Sequence, residues 1–359
     1  MIRVAINGFG RIGQRVFRLF YEKLKDVRFE IVAINDIIGP EEIIMRMQRD
    51  SVYREFPLKV SLVYHGGCDP VPYAKIEGVG TVIRLLQHNG DLSRLPWRGF
   101  NVDLVIDATG LYTTRDQLRG HLETGAKKVL LTAPSDKDDS IPMFVDGVNT
   151  TGADLTKFDM VSNASCTTNC AAPIVKIMDD AFEIEWGRLL TVHAVTTSQR
   201  IFDGTSKKDP RRARGCMRSH YPTSTGAAKA IGKILPHLEG KIKAKAVRVP
   251  LDAGSYVFLD LDLKRGVTIE AVHSALRSAV DSVKLDGPGK NILLTDDRQF
   301  VSVDVVGDTH PCVVSLDLTE IHKGGTNVGL HLWYDNEMGY TFALWQIAVK
   351  MFMDKFTIS

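Results

Sequence analysis

The stretch IRVAINGFGRIGQRVFRLF constrains the fold of this chain more than any other. A short apolar run stops at Asn7-Gly8-Phe9-Gly10, and apolar residues then recur at helical spacing, so the order read is strand, glycine turn, helix. A second apolar run, FEIVAIND, ends on Asp36 and completes a βαβ unit. In that context Gly8-x-Gly10-x-x-Gly13 gives a tight turn, close approach of backbone to a pyrophosphate, and a helix N-terminus whose amides favour anions. Asp36 follows Gly13 by 23 positions and supplies a carboxylate for an adenosine ribose. It repels a 2′-phosphate, and the Ile37 side chain adds no donor. The cofactor expected is therefore NAD rather than NADP.

Further strands are expected at VDLVIDAT and KKVLLTAP, with GLYTTRDQLRGHLETG as the helix between them. This alternation predicts a parallel sheet covered on both faces. After about residue 185 the texture changes to LLTVHAVTT, AKAVRVP, SYVFLDLDL and VGLHLWYD, with TIEAVHSALRSAV as a helix, which fits a second, α+β domain. Between these strands, DGTSKKDPRRARGCMRSHYPTSTG is basic and without periodicity. It is too long for an idle loop and is expected to be functional or an interface.

At 359 residues, with 44% apolar and 25% charged residues, the chain has the size and composition of a two-domain globular protein. A net charge of +2 gives no global field for nucleic acid or an anionic membrane, so neither is expected as a primary partner. No apolar run approaches the roughly 18 residues of a membrane helix, and MIRVAINGFG reads as a strand rather than a secretion signal. Five cysteines, Cys68, Cys166, Cys170, Cys216 and Cys312, suit a reducing compartment better than a disulfide framework. The expected location is the cytoplasm.

The nonapeptide SNASCTTNC precedes the helix-compatible run AAPIVKIM. Cys166 sits where a polar stretch meets a helix, and a helix N-terminus lowers a thiol pKa. Cys170 reads as a small core residue, and CxxxC without a matching His or Cys pair is poor zinc spacing, so no metal is expected. A nucleophile needs a base, and His193 lies on LLTVHAVTT. The residues alone leave Cys166 open between nucleophile and buried thiol, because spacing does not bring His193 to the sulfur.

SNASCTTNC with a histidine 27 positions beyond its first cysteine, NGFGRIG, PTSTGAAKA, VRVP and WYDNEMGY together resemble the phosphorylating glyceraldehyde-3-phosphate dehydrogenase family, in order over nearly the whole chain. The resemblance implies a Rossmann domain over residues 1–165, completed by a C-terminal helix over 337–359. A catalytic α+β domain with a large, mostly antiparallel sheet would span 166–336 and include the loop 203–222. It implies NAD-dependent oxidative phosphorylation of glyceraldehyde 3-phosphate through a thiohemiacetal and thioester on Cys166, with His193 as base. Thr196, Ser198 and Arg248 would bind the substrate's phosphate, and Ser165, Thr167, Thr225 and Gly226 the attacking inorganic phosphate. Asn7, Gly8, Gly10, Arg11, Ile12 and Gly13 would form the pyrophosphate turn, with Asp36 on the ribose and Thr109 and Thr132 in the pocket wall. Asn336 would meet the nicotinamide carboxamide and Tyr340 would pack near the ring. A homotetramer is implied, with loop 203–222 reaching a neighbour's cofactor site.

The chain departs from the family's usual text at Pro210, Ser219-His220-Tyr221, Leu251-Asp252-Ala253-Gly254, Met338 and Ser198. None of these removes a group that the chemistry needs. The alternatives are an erythrose-4-phosphate dehydrogenase, against which the hydroxyls of Thr196 and Ser198 weigh, and a non-catalytic nucleotide-binding protein on the same scaffold.

Overall fold

A computed structural model describes residues 1–24, 26, 28–64, 71–135, 137–206, 209–281, 291–295 and 298–356. Cys68, Lys207-Lys208 of the basic loop and the last three residues of the expected C-terminal helix lie outside the described residues. The chain forms two units: Met1–Pro142 with Leu155–Asn163 and Ala348–Ser359, and Met143–Asp154 with Ala164–Ile347. Among the described residues no helix is long and apolar enough to cross a membrane.

In the first unit, β1 (Ile2–Asn7) runs into Gly8, whose φ of +94° is strained for any residue with a side chain. A Cβ there would meet Ala108 and Thr109 backbone at 2.8 Å, and one on Gly13 would lie 2.1 Å from the Gly8 carbonyl oxygen. Gly10, by contrast, faces open space. The expected helix begins as α1 (Arg11–Arg18) but widens into a π-helical turn over Leu19–Leu24. The wider turn lets Phe20 and Tyr21 pack edge to face at 4.9 Å while Tyr21 also reaches Phe17 at 5.1 Å.

Then come β2 (Phe29–Asp36), α2 (Pro40–Gln48), the short ribbon β3 (Arg49–Asp50) and β4 (Arg54–Glu55), and strands β5 (Val60–Val63), β6 (Tyr73–Ile76) and β7 (Val82–Gln87). After these, β8 (Leu104–Asp107), α3 (Arg115–Glu123), β9 (Lys128–Leu131) and β10 (Met160–Ser162) complete the sheet. Its order is β10-β9-β8-β1-β2-β7-β6-β5. The strands from β10 to β7 are parallel, whereas β6 and β5 are antiparallel, a difference from the wholly parallel sheet expected. Among the described residues no helix intervenes between these edge strands, and direct connections give antiparallel pairs. Because β1 lies between β8 and β2, the strand order reverses beside it, the usual place for a ligand crevice in such sheets. Val4, Ile6, Ile31, Ile34, Val105 and Val129 are fully buried, each contributing about 1.5–3 kcal/mol. The C-terminal residues belong to this unit, with the Phe352 and Phe356 rings 6.5 Å and 5.7 Å from Phe29.

The second unit contains α4 (Cys166–Phe182), β11 (Ile184–His193), β12 (Tyr221–Thr223), α5 (Ala227–Ile234), β13 (Ile242–Arg248) and β14 (Ser255–Leu263). They are followed by α6 (Ile269–Asp281), β15 (Ile292–Thr295), β16 (Cys312–His322), β17 (Asn327–Tyr334) and α7 (Met338–Lys350), whose residues from Ala348 on are assigned to the first unit. The sheet order is β12-β13-β11-β14-β17-β16-β15, mostly antiparallel as expected, with β11/β13 and β15/β16 parallel. In β14, Val257, Leu259 and Leu261 turn inward against Ala171, Ile174 and Val175 of α4, while the alternate residues are only partly buried. Parallel pairing sets His193 opposite Arg248 at the ends of β11 and β13.

The glycine turn predicts an asymmetry. Gly13→Ala forces a methyl into the Gly8 carbonyl and is expected to lower unfolding free energy by about 1–3 kcal/mol, whereas Gly10→Ala changes it by less than about 0.5 kcal/mol. Urea denaturation of both variants checks this.

Candidate active site

In the first unit a cavity of about 270 Å³ opens beside the glycine turn, lined by Asn7, Gly8, Gly10, Asp36, Thr109 and Tyr112 among others. Gly10 is the N-cap of α1 and offers no side chain to its first-turn amides, which keeps that helix end open to an anion. The Asp36 carboxylate receives the backbone N–H groups of Phe9, of Ile37 at 2.7 Å and of Ile38 at 3.2 Å, which fixes its orientation at the end of β2. Below the cavity lies a fully buried carboxylate, Asp107. It accepts from Asn7 Nδ2 at 2.8 Å and Thr109 Oγ1 at 2.7 Å, and meets His121 Nε2 at 3.2 Å. Trp97 Nε1 donates to His121 Nδ1 at 2.9 Å, so the ring proton sits on Nε2, facing Asp107. This network was not read from the sequence.

Not every expected cofactor residue meets in that cavity. Arg11 and Ile12 form the first turn of α1, and the Arg11 guanidinium pairs with Asp50 at 2.7 Å. Gly13 serves the turn's packing, and the Thr132 amide donates to Asp107 O at 3.1 Å, outside the lining. Asn336 and Tyr340 belong to the second unit. There Asn336 Oδ1 accepts from Ser255 Oγ at 3.0 Å, and the Tyr340 hydroxyl donates to Ala164 O at 3.4 Å.

In the second unit, Ala164 takes a positive φ of 54°, unusual for a residue with a side chain, and Ser165 then caps α4, its Oγ accepting from Thr168 N at 3.2 Å. Cys166 is therefore the first residue of the helix. Its Sγ lies 3.4 Å from His193 Nε2. The structure thus joins two groups that sequence spacing left apart.

His193 Nδ1 lies 2.7 Å from Ala194 O, and the tautomer with its proton on Nδ1 donates there and presents the Nε2 lone pair to the sulfur. Arg248 Nη1 lies 2.9 Å from the same carbonyl and 2.7 Å from Nδ1. Burial first, and that cation second, depress His193 to about 3, so the resting imidazole is neutral. For Cys166 the expected lowering is overturned in sign: burial pushes the thiol up, and Arg248 and the donors of Thr167 offset only part of it. The resting pair is thiol and neutral imidazole.

Around this pair the other expected residues divide into groups. Thr167 Oγ1 meets the Tyr334 hydroxyl at 3.0 Å, and the same hydroxyl meets Thr191 Oγ1 at 2.9 Å. The His193 ring lies 5.9 Å from the Tyr334 ring, edge to face. Thr196 and Ser198 share an exposed turn, their hydroxyls 3.0 Å apart. Gly226 caps α5, and Thr225 Oγ1 accepts the Ala227 N–H at 3.3 Å. Arg212, one of the arginines of loop 203–222, reaches Thr223 Oγ1 at 3.1 Å and Ser198 Oγ at 3.5 Å. It links the Thr196–Ser198 turn to the segment leading to Thr225. Tyr334 carried one usable signal, its place at the end of a strand just before Asn336.

Comparison with known proteins agrees in both halves. The family profile described as "Glyceraldehyde 3-phosphate dehydrogenase, NAD binding domain" matches residues 2–115, and that described as "Glyceraldehyde 3-phosphate dehydrogenase, C-terminal domain" matches 165–336. The chain is similar to glyceraldehyde-3-phosphate dehydrogenase 1 of Saccharomyces cerevisiae, with 41% identity over 95% of this chain and 96% of that protein. It is similar to glyceraldehyde-3-phosphate dehydrogenase 2 of Bacillus subtilis, with 39% identity over 95% and 94% respectively. The Streptomyces coelicolor enzyme is 39% identical over 97% and 98%.

The electrostatics of the pair predict a pH effect. Arg248→Gln removes a cation that favours the thiolate, so the Cys166 thiol moves further up and less of it ionises near neutrality. Iodoacetamide, an uncharged probe, is expected to alkylate Cys166 about three- to tenfold more slowly in that variant, followed by peptide mass spectrometry across pH.

Proposed function

We infer the activity from the premise that this chain belongs to the glyceraldehyde-3-phosphate dehydrogenase family. It is an NAD-dependent oxidoreductase that acts on glyceraldehyde 3-phosphate. The observation that carries the chemistry is the Cys166 thiol, at a helix N-terminus, 3.4 Å from a neutral His193.

The cavity of the first unit fits NAD. Gly8 and Gly13 admit no side chain, Gly10 leaves the approach to α1 clear, and Asp36 supplies a ribose acceptor that repels a 2′-phosphate, while Arg46 in the lining is paired with Glu42 at 2.6 Å. Asn7, Gly8, Gly10, Asp36 and Thr109 would hold it, and when bound it supplies the hydride acceptor.

Cys166 Sγ bonds to the aldehyde carbon while its proton passes through His193 Nε2 to the carbonyl oxygen. That hydroxyl proton returns to Nε2 as the carbon is oxidised, leaving an acyl thioester on Sγ. A phosphate oxygen then attacks the acyl carbon, Sγ leaves as thiolate and regains the proton from Nε2, and the product is an acyl phosphate. Thr196, Ser198 and Arg248 hold the substrate's own phosphate, with Arg212 beside Ser198. Ser165, Thr167, Thr225 and Gly226 hold the attacking phosphate. Hydroxyls, amides and arginine are the donors that such anions need.

The first unit is assigned to NAD and the second to the chemistry. A homotetramer is proposed, supported by Ile201, Phe202 and Met217, large apolar residues exposed on or beside loop 203–222. The cytoplasm is proposed as the location, in keeping with Cys166, Cys170, Cys216 and Cys312 all being free thiols.

NADH formation from glyceraldehyde 3-phosphate and NAD, with and without inorganic phosphate, tests this reading, with erythrose 4-phosphate and NADP as substitutes. Phosphate-dependent turnover that prefers the triose and NAD is expected. Cys166→Ser should lower it by roughly a thousandfold or more while NAD still binds. Turnover retained in that variant would remove Cys166 as nucleophile.

A further inference from the structure

One buried side chain, Gln199, closes the turn that carries Thr196 and Ser198. Its Oε1 receives the Thr196 backbone N–H at 3.2 Å, the Thr196 hydroxyl at 2.7 Å and the Ser198 hydroxyl at 2.8 Å. A backbone N–H can only donate, so the end of the amide facing the turn is its oxygen. The Gln199 N–H in turn donates to Thr196 O at 3.0 Å, which makes the turn a closed ring of bonds. Gln199 is 8% exposed, whereas residues 196–198 above it are exposed. Among the described residues its Nε2 has no hydrogen-bond partner. A buried amide kept only to tie the fold together is ordinarily bonded at both ends. Here the side-chain bonds all converge on one oxygen, and two of the three come from the hydroxyls assigned to substrate.

We propose that Gln199 is a positioning residue for the substrate's phosphate: its Oε1 holds the Thr196 and Ser198 hydroxyl protons until an arriving phosphate takes them. This rests on the assignment of those hydroxyls made above. Three donors crowd an oxygen with two lone pairs, so each bond is weaker than a charge-assisted bond to a dianion. Turning each O–H about its Cβ–O bond redirects the proton outward without moving a heavy atom. The turn is kept meanwhile by the Thr196 N–H, which stays on Oε1. Neutrality of the acceptor is essential. A carboxylate at this position would compete with phosphate for the same protons and repel it.

Steady-state kinetics of wild type, Gln199→Glu and Gln199→Met with glyceraldehyde 3-phosphate and with unphosphorylated glyceraldehyde test the proposal. Gln199→Glu preserves the shape and the acceptor, so it should melt like wild type, while KM for the phosphorylated aldehyde rises about tenfold or more. Kinetics with glyceraldehyde should not change. Gln199→Met, which loses the acceptor, should raise the same KM by about threefold and again spare glyceraldehyde. Equal changes for both aldehydes, or an unchanged KM for the phosphorylated one in Gln199→Glu, would overturn the proposal. A wild-type protein that used glyceraldehyde as well as its phosphate ester would overturn both this and the functional reading on which it rests.

Discussion

The parallel pairing of β11 with β13 puts His193 and Arg248 side by side, and the chemistry of the second unit depends on that neighbour relation. A guanidinium 2.7 Å from a buried imidazole opposes a second proton on the ring. The ring therefore rests neutral, and in the tautomer that donates to Ala194 O its Nε2 lone pair faces Cys166. The same cation favours negative charge on the sulfur, so a single arginine bears on both members of the pair. None of this survives a slip in strand register, because one residue of shift turns every side chain to the opposite face.

The glycine turn was legible because its causes are local. A positive φ at Gly8 and a helix pressed against the Gly8 carbonyl at Gly13 are demands that only glycine meets, and they show in a few letters. Asp36 was legible for the same reason, as the last residue of an apolar strand. The β14 strand could be read from alternation alone, since it buries one face and leaves the other partly open.

What the sequence hid is carried by contacts between distant segments. The Tyr334 hydroxyl joins Thr167 and Thr191 across 167 and 143 positions, and no short motif encodes such a bond. The Asp107–His121–Trp97 network and the Gln199 turn were missed likewise, because a glutamine or histidine gains meaning only from what lies next to it. The Cys166 thiol was misjudged because a helix N-terminus is visible in sequence and burial is not. Pro173 would ordinarily stop a helix, yet α4 continues through it. Burial of Ala171, Ala172, Ile174 and Val175 outweighs the one hydrogen bond that proline removes.

The central claim is that Cys166 carries the acyl group between oxidation and phosphorolysis. The most direct measurement is mass spectrometry of the protein after mixing with NAD and glyceraldehyde 3-phosphate in the absence of inorganic phosphate. The account predicts a phosphoglyceroyl thioester on the peptide containing Cys166, near one per chain, that disappears when phosphate is added. NADH release with no such adduct, or with an adduct on another residue, would contradict it.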